Sequence, residues 1–446
     1  VRWRPHTGAA YRGAVSRTSG GFLGAWRDAL VAVVAGCAAM AAVSAAGLAC
    51  AGATGLPGGA FPRVVAAVVV LAAGGSVEVT GGAGLLAGAD ASLSVLPLTV
   101  SLAGALVTGS LFLRPLHHRA VAGPRELAAR AVPLVVLWLV ALTGAALVAR
   151  QDFALFTHDT GDNPLADLGD LGDLLDAVGS APTVGFRADV AATLGYGLLW
   201  ILGLLLTALL VSRRAPLPAR LVRFHAAVRP AAFATVALLL AYVVIGAGVG
   251  LVVAATHGHA DRTLAVLLLG LPNLAWIALT LGFGGAWEGR VEGPFGLPMP
   301  QLLDEVLRGS ETSTVDVGTL AQRDGRAWWL VAVAAVMLLG AGFLAAVRSP
   351  ARVRPRQHAL HLGVALALAT LAVCPLAAVE ARFGLSLLGI SDVGGLRGTV
   401  ELRPVLWRNV GLALLWGAAA GFLGALLARP VHRRGLVEEA RTPADR

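Results

Sequence analysis

The sequence predicts an all-α fold: a polytopic transmembrane helical bundle of about eight full spans, two short or broken re-entrant segments, and an internal duplication. Three observations carry this expectation. Of the 446 residues, 57% are hydrophobic and 14% charged, whereas soluble domains are about a quarter charged. Apolar runs of about 20 residues, enough to cross a hydrocarbon core of about 30 Å, recur along the chain. Clusters of arginine separate these runs instead of lining one helix face.

Residues 1–28 form an Arg-rich tail. The apolar run after it is longer than the roughly 7–15 residues of a cleaved signal peptide, so it reads as a retained first helix. Full spans are expected at 29–52, 93–113, 131–149, 190–212, 231–256, 327–347, 359–379 and 410–428. Two further apolar pieces differ. Segment 62–75 is short and ends in Gly74-Gly75; segment 263–286 is long enough but carries Pro272-Asn273 and a glycine-rich end. Proline removes a helix hydrogen bond and clashes with the preceding turn. In a bilayer such a break persists only where protein or a hydrated cavity satisfies the freed groups.

Charge decides the threading. The clusters at 1–27, 114–130, 213–229, 348–356 and 429–446 hold 23 Arg against four acids, and the remaining segments hold 12 Arg against 22 acids. If 62–75 and 263–286 enter and leave on one side, every cluster becomes cytoplasmic, as basic residues prefer. Both termini are then cytoplasmic in a multi-pass protein of the bacterial cell membrane. A net charge of +9 with no lysine does not read as nucleic-acid binding, which wants a basic face or stripe.

The threading exposes a repeat. Inward-running helices stop at Arg114-Pro115, Arg213-Arg214-Ala215-Pro216, Arg348-Ser349-Pro350 and Arg429-Pro430. Ahead of three of them stand Thr183-Val184, Thr314-Val315-Asp316-Val317 and Thr399-Val400-Glu401-Leu402, with Leu93-Ser94-Val95-Leu96-Pro97 a looser fourth. Such recurrence in fixed order predicts a first membrane half at 29–220, a second at 221–428, and a C-terminal cytoplasmic tail at 429–446. Five spans per half would make the repeat inverted, as in several transporter folds; four per half make it parallel.

A set of motifs in order gives the chain a resemblance. They are Gly74-Gly75-Ser76-Val77, Pro97-Leu98 leading to Leu113-Arg114, Leu271-Pro272-Asn273-Leu274-Ala275-Trp276, Asp316-Val317-Gly318-Thr319-Leu320, Arg326-Ala327-Trp328-Trp329-Leu330, and the closing helix from Leu414-Leu415-Trp416-Gly417 to Gly424-Ala425-Leu426-Leu427. Across roughly 25–430 the chain resembles the streptophobe family, uncharacterised integral membrane proteins of actinobacteria. Glu78-Val79-Thr80-Gly81 departs from the Pro- and Ser-containing turn of that family. The resemblance implies a membrane protein and carries no activity, cofactor or catalytic residue.

The residues themselves argue against several chemistries. No Asp, Glu, Arg or His lies centrally in the eight full spans, where proton-coupled pumps place ionisable groups. No zinc-protease or nucleophile-elbow motif is present, so the chain does not read as an enzyme and calls for no cofactor. Asp167, Asp170, Asp173 and Asp176 read as an amphipathic outer turn, because the alternating acids of an EF-hand are missing. His257-Gly258-His259-Ala260-Asp261 offers few ligands in a tight turn. His117-His118, His358 and His361 lie beside Arg clusters, facing headgroups. Cys37, Cys50 and Cys374 read as apolar filler.

Four features remain. Pro272, Asn273 and Trp276 form the candidate broken-helix site, since a buried Asn needs a partner and interrupted helices border substrate sites in carriers. Gly246 with Gly250, and Gly417 with Gly421, are small-xxx-small pairs for close helix approach. Trp138, Trp287, Trp328, Trp329 and Trp407 fall near expected helix ends, as in interfacial belts. The partner these features demand is the lipid bilayer. The expectation for function is a non-enzymatic membrane scaffold or envelope-associated partner of another membrane protein; the alternative is a transporter or flippase-like carrier of an apolar or lipid-like substrate.

Overall fold

The computed structural model describes residues 19–56, 59–83, 87–114, 124–154, 183–212, 219–256, 258, 260–292, 313–350, 353–387 and 398–430. The helical bundle expected from the apolar runs is present. Eight described helices are long and apolar enough to cross a membrane. They are α1 (Ser19–Cys50), α4 (Pro124–Val148), α5 (Val190–Val211), α6 (Ala219–Thr256), α7 (Ala260–Gly282), α9 (Trp329–Arg348), α10 (Pro355–Ala377) and α11 (Leu406–Leu427). Two apolar helices are shorter, α2 (Phe61–Ala72) and α3 (Leu98–Leu113), and α8 (Val317–Arg323) is a short helix of about two turns before α9.

The connections at one end of the bundle add what the apolar runs do not announce, an antiparallel sheet of eight strands. These are β1 (Val77–Ala83), β2 (Ala87–Val95), β3 (Arg150–Ala154), β4 (Thr183–Ala188), β5 (Trp287–Glu292), β6 (Ser313–Val315), β7 (Val379–Leu387) and β8 (Gly398–Pro404). The physical reason is that these connections alternate in polarity with period two, which suits a half-buried strand. Val77, Ala188, Trp287, Val315, Val400 and Leu402 are buried; Glu78, Arg187, Glu288, Thr314 and Arg403, each next along its strand, are exposed. The sheet therefore lays one apolar face on the helix ends and turns charged groups away.

The strand order is β3-β4-β1-β2-β7-β8-β5-β6, which is one order of four run twice. The register repeats as well. Glu78 pairs with Arg187 as Glu288 pairs with Arg403, and Gly81 pairs with Val184 as Val291 pairs with Val400. The entry to each set is also the same. Gly74 and Gly284 take positive φ of 91° and 87°, and Gly75 and Gly285 donate back to Val70 and Thr280 at 3.0 and 2.8 Å. This is a left-handed glycine closing a helix end, used twice. The two sets join where β2 pairs with β7 along nine residues.

Contacts fix how the helices run. A Cβ on Gly104 of α3 would meet Met40 of α1 at 2.5 Å, and Gly36 of α1 faces Thr108, so α1 and α3 are antiparallel with the α1 C-terminus on the sheet side. Arg348, ending α9, lies 3.7 Å over the Phe233 ring in the first half of α6, so α6 likewise approaches the sheet. In α7, residues 267–273 lie against the first residues of α3, while Gly282 lies against Leu330 and Ala334 of α9. Both helix starts adjoin the sheet, so both ends of α7 are on the sheet side. With 12 residues, α2 rises only about 18 Å and also stays there. The eight helices leading from one end of the bundle to the other are α1, α3, α4, α5, α6, α9, α10 and α11. The traverse by α3 uses 16 helical residues, about 24 Å.

Segment 263–286 is not broken. It runs as α7 straight through Pro272, because a hydroxyl from α3 bridges the turn that proline disturbs, as described below. The halves interlock there: buried Leu98 belongs to the core cluster of α6–α11, and Leu269 packs on the cluster of α1–α5. The boundary drawn near residue 220 falls at the start of α6.

Candidate functional site

Thr99, in the first turn of α3, sends its hydroxyl to the Leu267 carbonyl at 3.0 Å and accepts from the Leu271 amide at 3.0 Å. Those two groups are partners i and i+4 of an α-helix, so the hydroxyl is inserted in the ladder one residue before Pro272. Asn273 returns the contact. Its Oδ1 accepts from the Leu98 amide at 3.3 Å and its Nδ2 donates to the Leu96 carbonyl at 3.0 Å. The amides opening a helix lack intrahelical partners, and α3 begins after Pro97 with no side-chain cap of its own. Asn273 supplies that cap from another helix.

Of the candidate trio, Pro272 and Asn273 are thus buried in this α3–α7 junction. Trp276 is buried one turn on and donates to the Leu239 carbonyl of α6 at 3.3 Å. The carboxamide of Asn273 faces protein backbone and serves as a clamp. Sequence carried no signal for Thr99, whose role depends on a contact across 172 residues.

A second clamp lies where α7 enters β5. Asn409, fully buried, accepts from the Ala286 amide at 2.8 Å and donates to its carbonyl at 3.2 Å. The Trp416 indole donates to the Phe283 carbonyl at 3.0 Å. Arg408 donates to the Gly284 carbonyl at 3.2 Å and reaches Asp316 at 3.4 Å. Asp316 also accepts from the Thr319 amide at 2.9 Å, capping α8. In the first set of strands Thr193 stands where Asn409 does, buried against Gly75.

Of the named glycines, Gly417 and Gly421 sit at backbone contacts, whereas Gly246 and Gly250 make room for leucine side chains. A Cβ on Gly417 would meet Gly363 Cα at 2.8 Å, and one on Gly421 would meet the His358 carbonyl at 2.5 Å. Gly246 lies against Leu271, where a Cβ would be at 3.1 Å, and Gly250 lies against Leu267. Gly342 and Gly424 bring α9 onto α11 in the same manner. Small residues that let backbones approach are the usual cement of helices in lipid.

Several side chains sit elsewhere than their sequence positions suggest. Trp138 and Trp287 are fully buried, not interfacial. Trp138 stacks on Trp200 with centroids 4.5 Å apart and donates to the Gly197 carbonyl; Trp287 donates to Thr280 at 2.9 Å. An indole so buried finds an acceptor inside the protein. Trp328, Trp329 and Trp407 are exposed at the sheet end. His358 is buried between α10 and α11 and does not face headgroups. Cys37, Cys50 and Cys374 are free thiols, and Cys374 is buried beside Asn409. Among the described residues no three His, Cys, Asp or Glu side chains converge. Asp167, Asp170, Asp173, Asp176, His117, His118, His257 and His259 lie outside the described residues.

No protein-family model, curated protein or solved structure matches the chain.

Proposed function

We propose that this integral membrane protein is a non-enzymatic scaffold of the bacterial cell membrane. Its sheet would stand on the outer face as a platform for a polar segment of another envelope protein, with both termini cytoplasmic. One observation carries the reading: a single sheet runs across the ends of both sets of helices and turns Glu78, Arg187, Glu288, Thr314 and Arg403 away from the bundle. Hydrogen bonds from Asn409 and Trp416 hold the turn that leads α7 into that sheet. The Pro272–Asn273 region, where a carrier would hold substrate, has its polar groups engaged by α3.

The test is affinity capture of the full chain from its own membranes after mild cross-linking. Wild type is expected to bring down a defined partner, and Glu288→Arg with Thr314→Arg to lose it at unchanged membrane abundance. Capture of the chain alone, together with solute or lipid movement catalysed by the purified protein in vesicles, would replace the scaffold with the carrier.

A further inference from the structure

We propose that the hollow bounded by β1, β3, β4 and the start of α5 binds a phosphate-bearing headgroup, with the phosphate held between Arg150 and Arg187 and an amine turned to Glu78. The hollow has a volume of about 400 Å³ and is lined by Glu78, Leu147, Arg150, Arg187, Asp189 and Val190, among others. Arg150 and Arg187 are directly paired across β3 and β4. Like charges in that position repel, so the arrangement asks for an anion between them. The two planar forks suit a phosphate, which guanidinium groups bind in bidentate fashion.

Among the described residues neither guanidinium has an ion-pair partner. Of the two carboxylates at the hollow, Asp189 is engaged as the cap of α5, accepting from the Ala191 and Ala192 amides at 2.8 and 3.2 Å. Glu78, opposite Arg187 on β1, is the one left for a cationic group. The pairing of charges therefore matches an amino-phosphate better than a bare anion.

The repeated strands provide an internal contrast. Arg403 stands at the position of Arg187 but is neutralised by Glu380 at 3.2 Å and Glu401 at 3.8 Å. Continuing the β7–β8 register puts Ala378 where Arg150 would be, and Val405 begins the next helix where Asp189 does. One copy of the strands thus holds its arginine in ion pairs, and the other gathers two arginines around a hollow with no ion pair to either among the described residues. The hollow also opens beside lipid-facing side chains: Leu147 and Val148, the last residues of α4, are each more than half exposed. A lipid headgroup and a soluble phosphoamine share the chemistry required.

The experiment uses the detergent-solubilised full chain, with native mass spectrometry counting bound phosphatidylethanolamine or phosphatidylglycerol. Soluble phosphoethanolamine and inorganic phosphate serve as competitors. Wild type is expected to retain phosphatidylethanolamine, and Arg150→Gln with Arg187→Gln to weaken it by about tenfold or more, as for loss of charge-assisted hydrogen bonds. Glu78→Gln should erase the preference over phosphatidylglycerol, and Arg403→Gln should change nothing. Arg187→Lys, which keeps charge but not the fork, gives an intermediate loss and guards against misfolding of the double variant. Displacement by soluble phosphoethanolamine with no lipid retained would assign the site to the soluble source. Retention unchanged in the double variant, or lost equally in Arg403→Gln, overturns the site.

Discussion

The amide of Leu98 donates to the carboxamide of Asn273 across 175 residues, at 3.3 Å and out of contact with solvent. Asn273 therefore starts one helix while sitting inside another. With Thr99 answering from α3 into α7, the contact is reciprocal, and neither helix has its backbone satisfied without the other. Two hydrogen-bonding side chains that share one junction, Asn273 buried and Thr99 half-buried, should be coupled energetically.

Asn273→Leu is accordingly expected to destabilise the protein, by about 1–3 kcal/mol for leaving the Leu98 amide unsatisfied. Thr99→Val should cost a similar amount, and the double variant less than the sum of the two. Unfolding in mixed micelles measures all three. Strict additivity would mean that the two side chains act separately, and full stability of Asn273→Leu would reopen it as a ligand group.

Asn409 gives a sharper case, because both atoms of its carboxamide hold the one peptide unit at Ala286. Asn409→Leu removes the acceptor and the donor together and buries both orphans, so a loss of about 2–4 kcal/mol is expected. Arg408→Gln should cost much less. Its ion pair with Asp316 is partly exposed, and such pairs contribute about 1 kcal/mol or less. Equal losses for the two variants, read as thermal midpoints, would refute this ranking.

Two glycines of α9 separate packing from backbone propensity. Gly342 lies against the Ala420 backbone, whereas nothing is within 4 Å of a Cβ at Gly340. Gly340→Ala is expected to be neutral or stabilising by up to about 1 kcal/mol, the intrinsic difference in a helix. Gly342→Ala must push α11 away and should destabilise by about 1–3 kcal/mol, as overpacking does. The same substitution, two residues apart, then changes sign.

How much of this was legible depends on whether the cause was local. Apolar length and Arg clusters are local, so the helices and the contrasting behaviour of 62–75 and 263–286 could be read directly. The Thr-Val segments were visible as a repeat, but strands earn their stability from partners far along the chain. Val400 pairs with Ala381 within its own connection, but with Val291 only once the helices have brought two connections together. Asn273 stood out as a polar group in an apolar run. Thr99, Asn409 and the Arg150–Arg187 pair did not, since each takes its meaning from a neighbour on another element.

The placement of α7 can be tested without a ligand. By length it could cross a bilayer, yet residues 267–273 meet the start of α3 and Gly282 meets the start of α9, both beside the sheet. In a chain whose three cysteines are replaced by alanine, Asp261→Cys and Glu288→Cys flank α7 at exposed positions. An impermeant thiol reagent added outside intact cells should label both, and should label Thr314→Cys with them. Val353→Cys, between α9 and α10, should react only after the cells are opened. Labelling of Asp261→Cys and Glu288→Cys from opposite sides would make α7 a full crossing. It would also put β5 to β8 on the opposite side of the bilayer from β1 to β4, which the single eight-stranded sheet forbids.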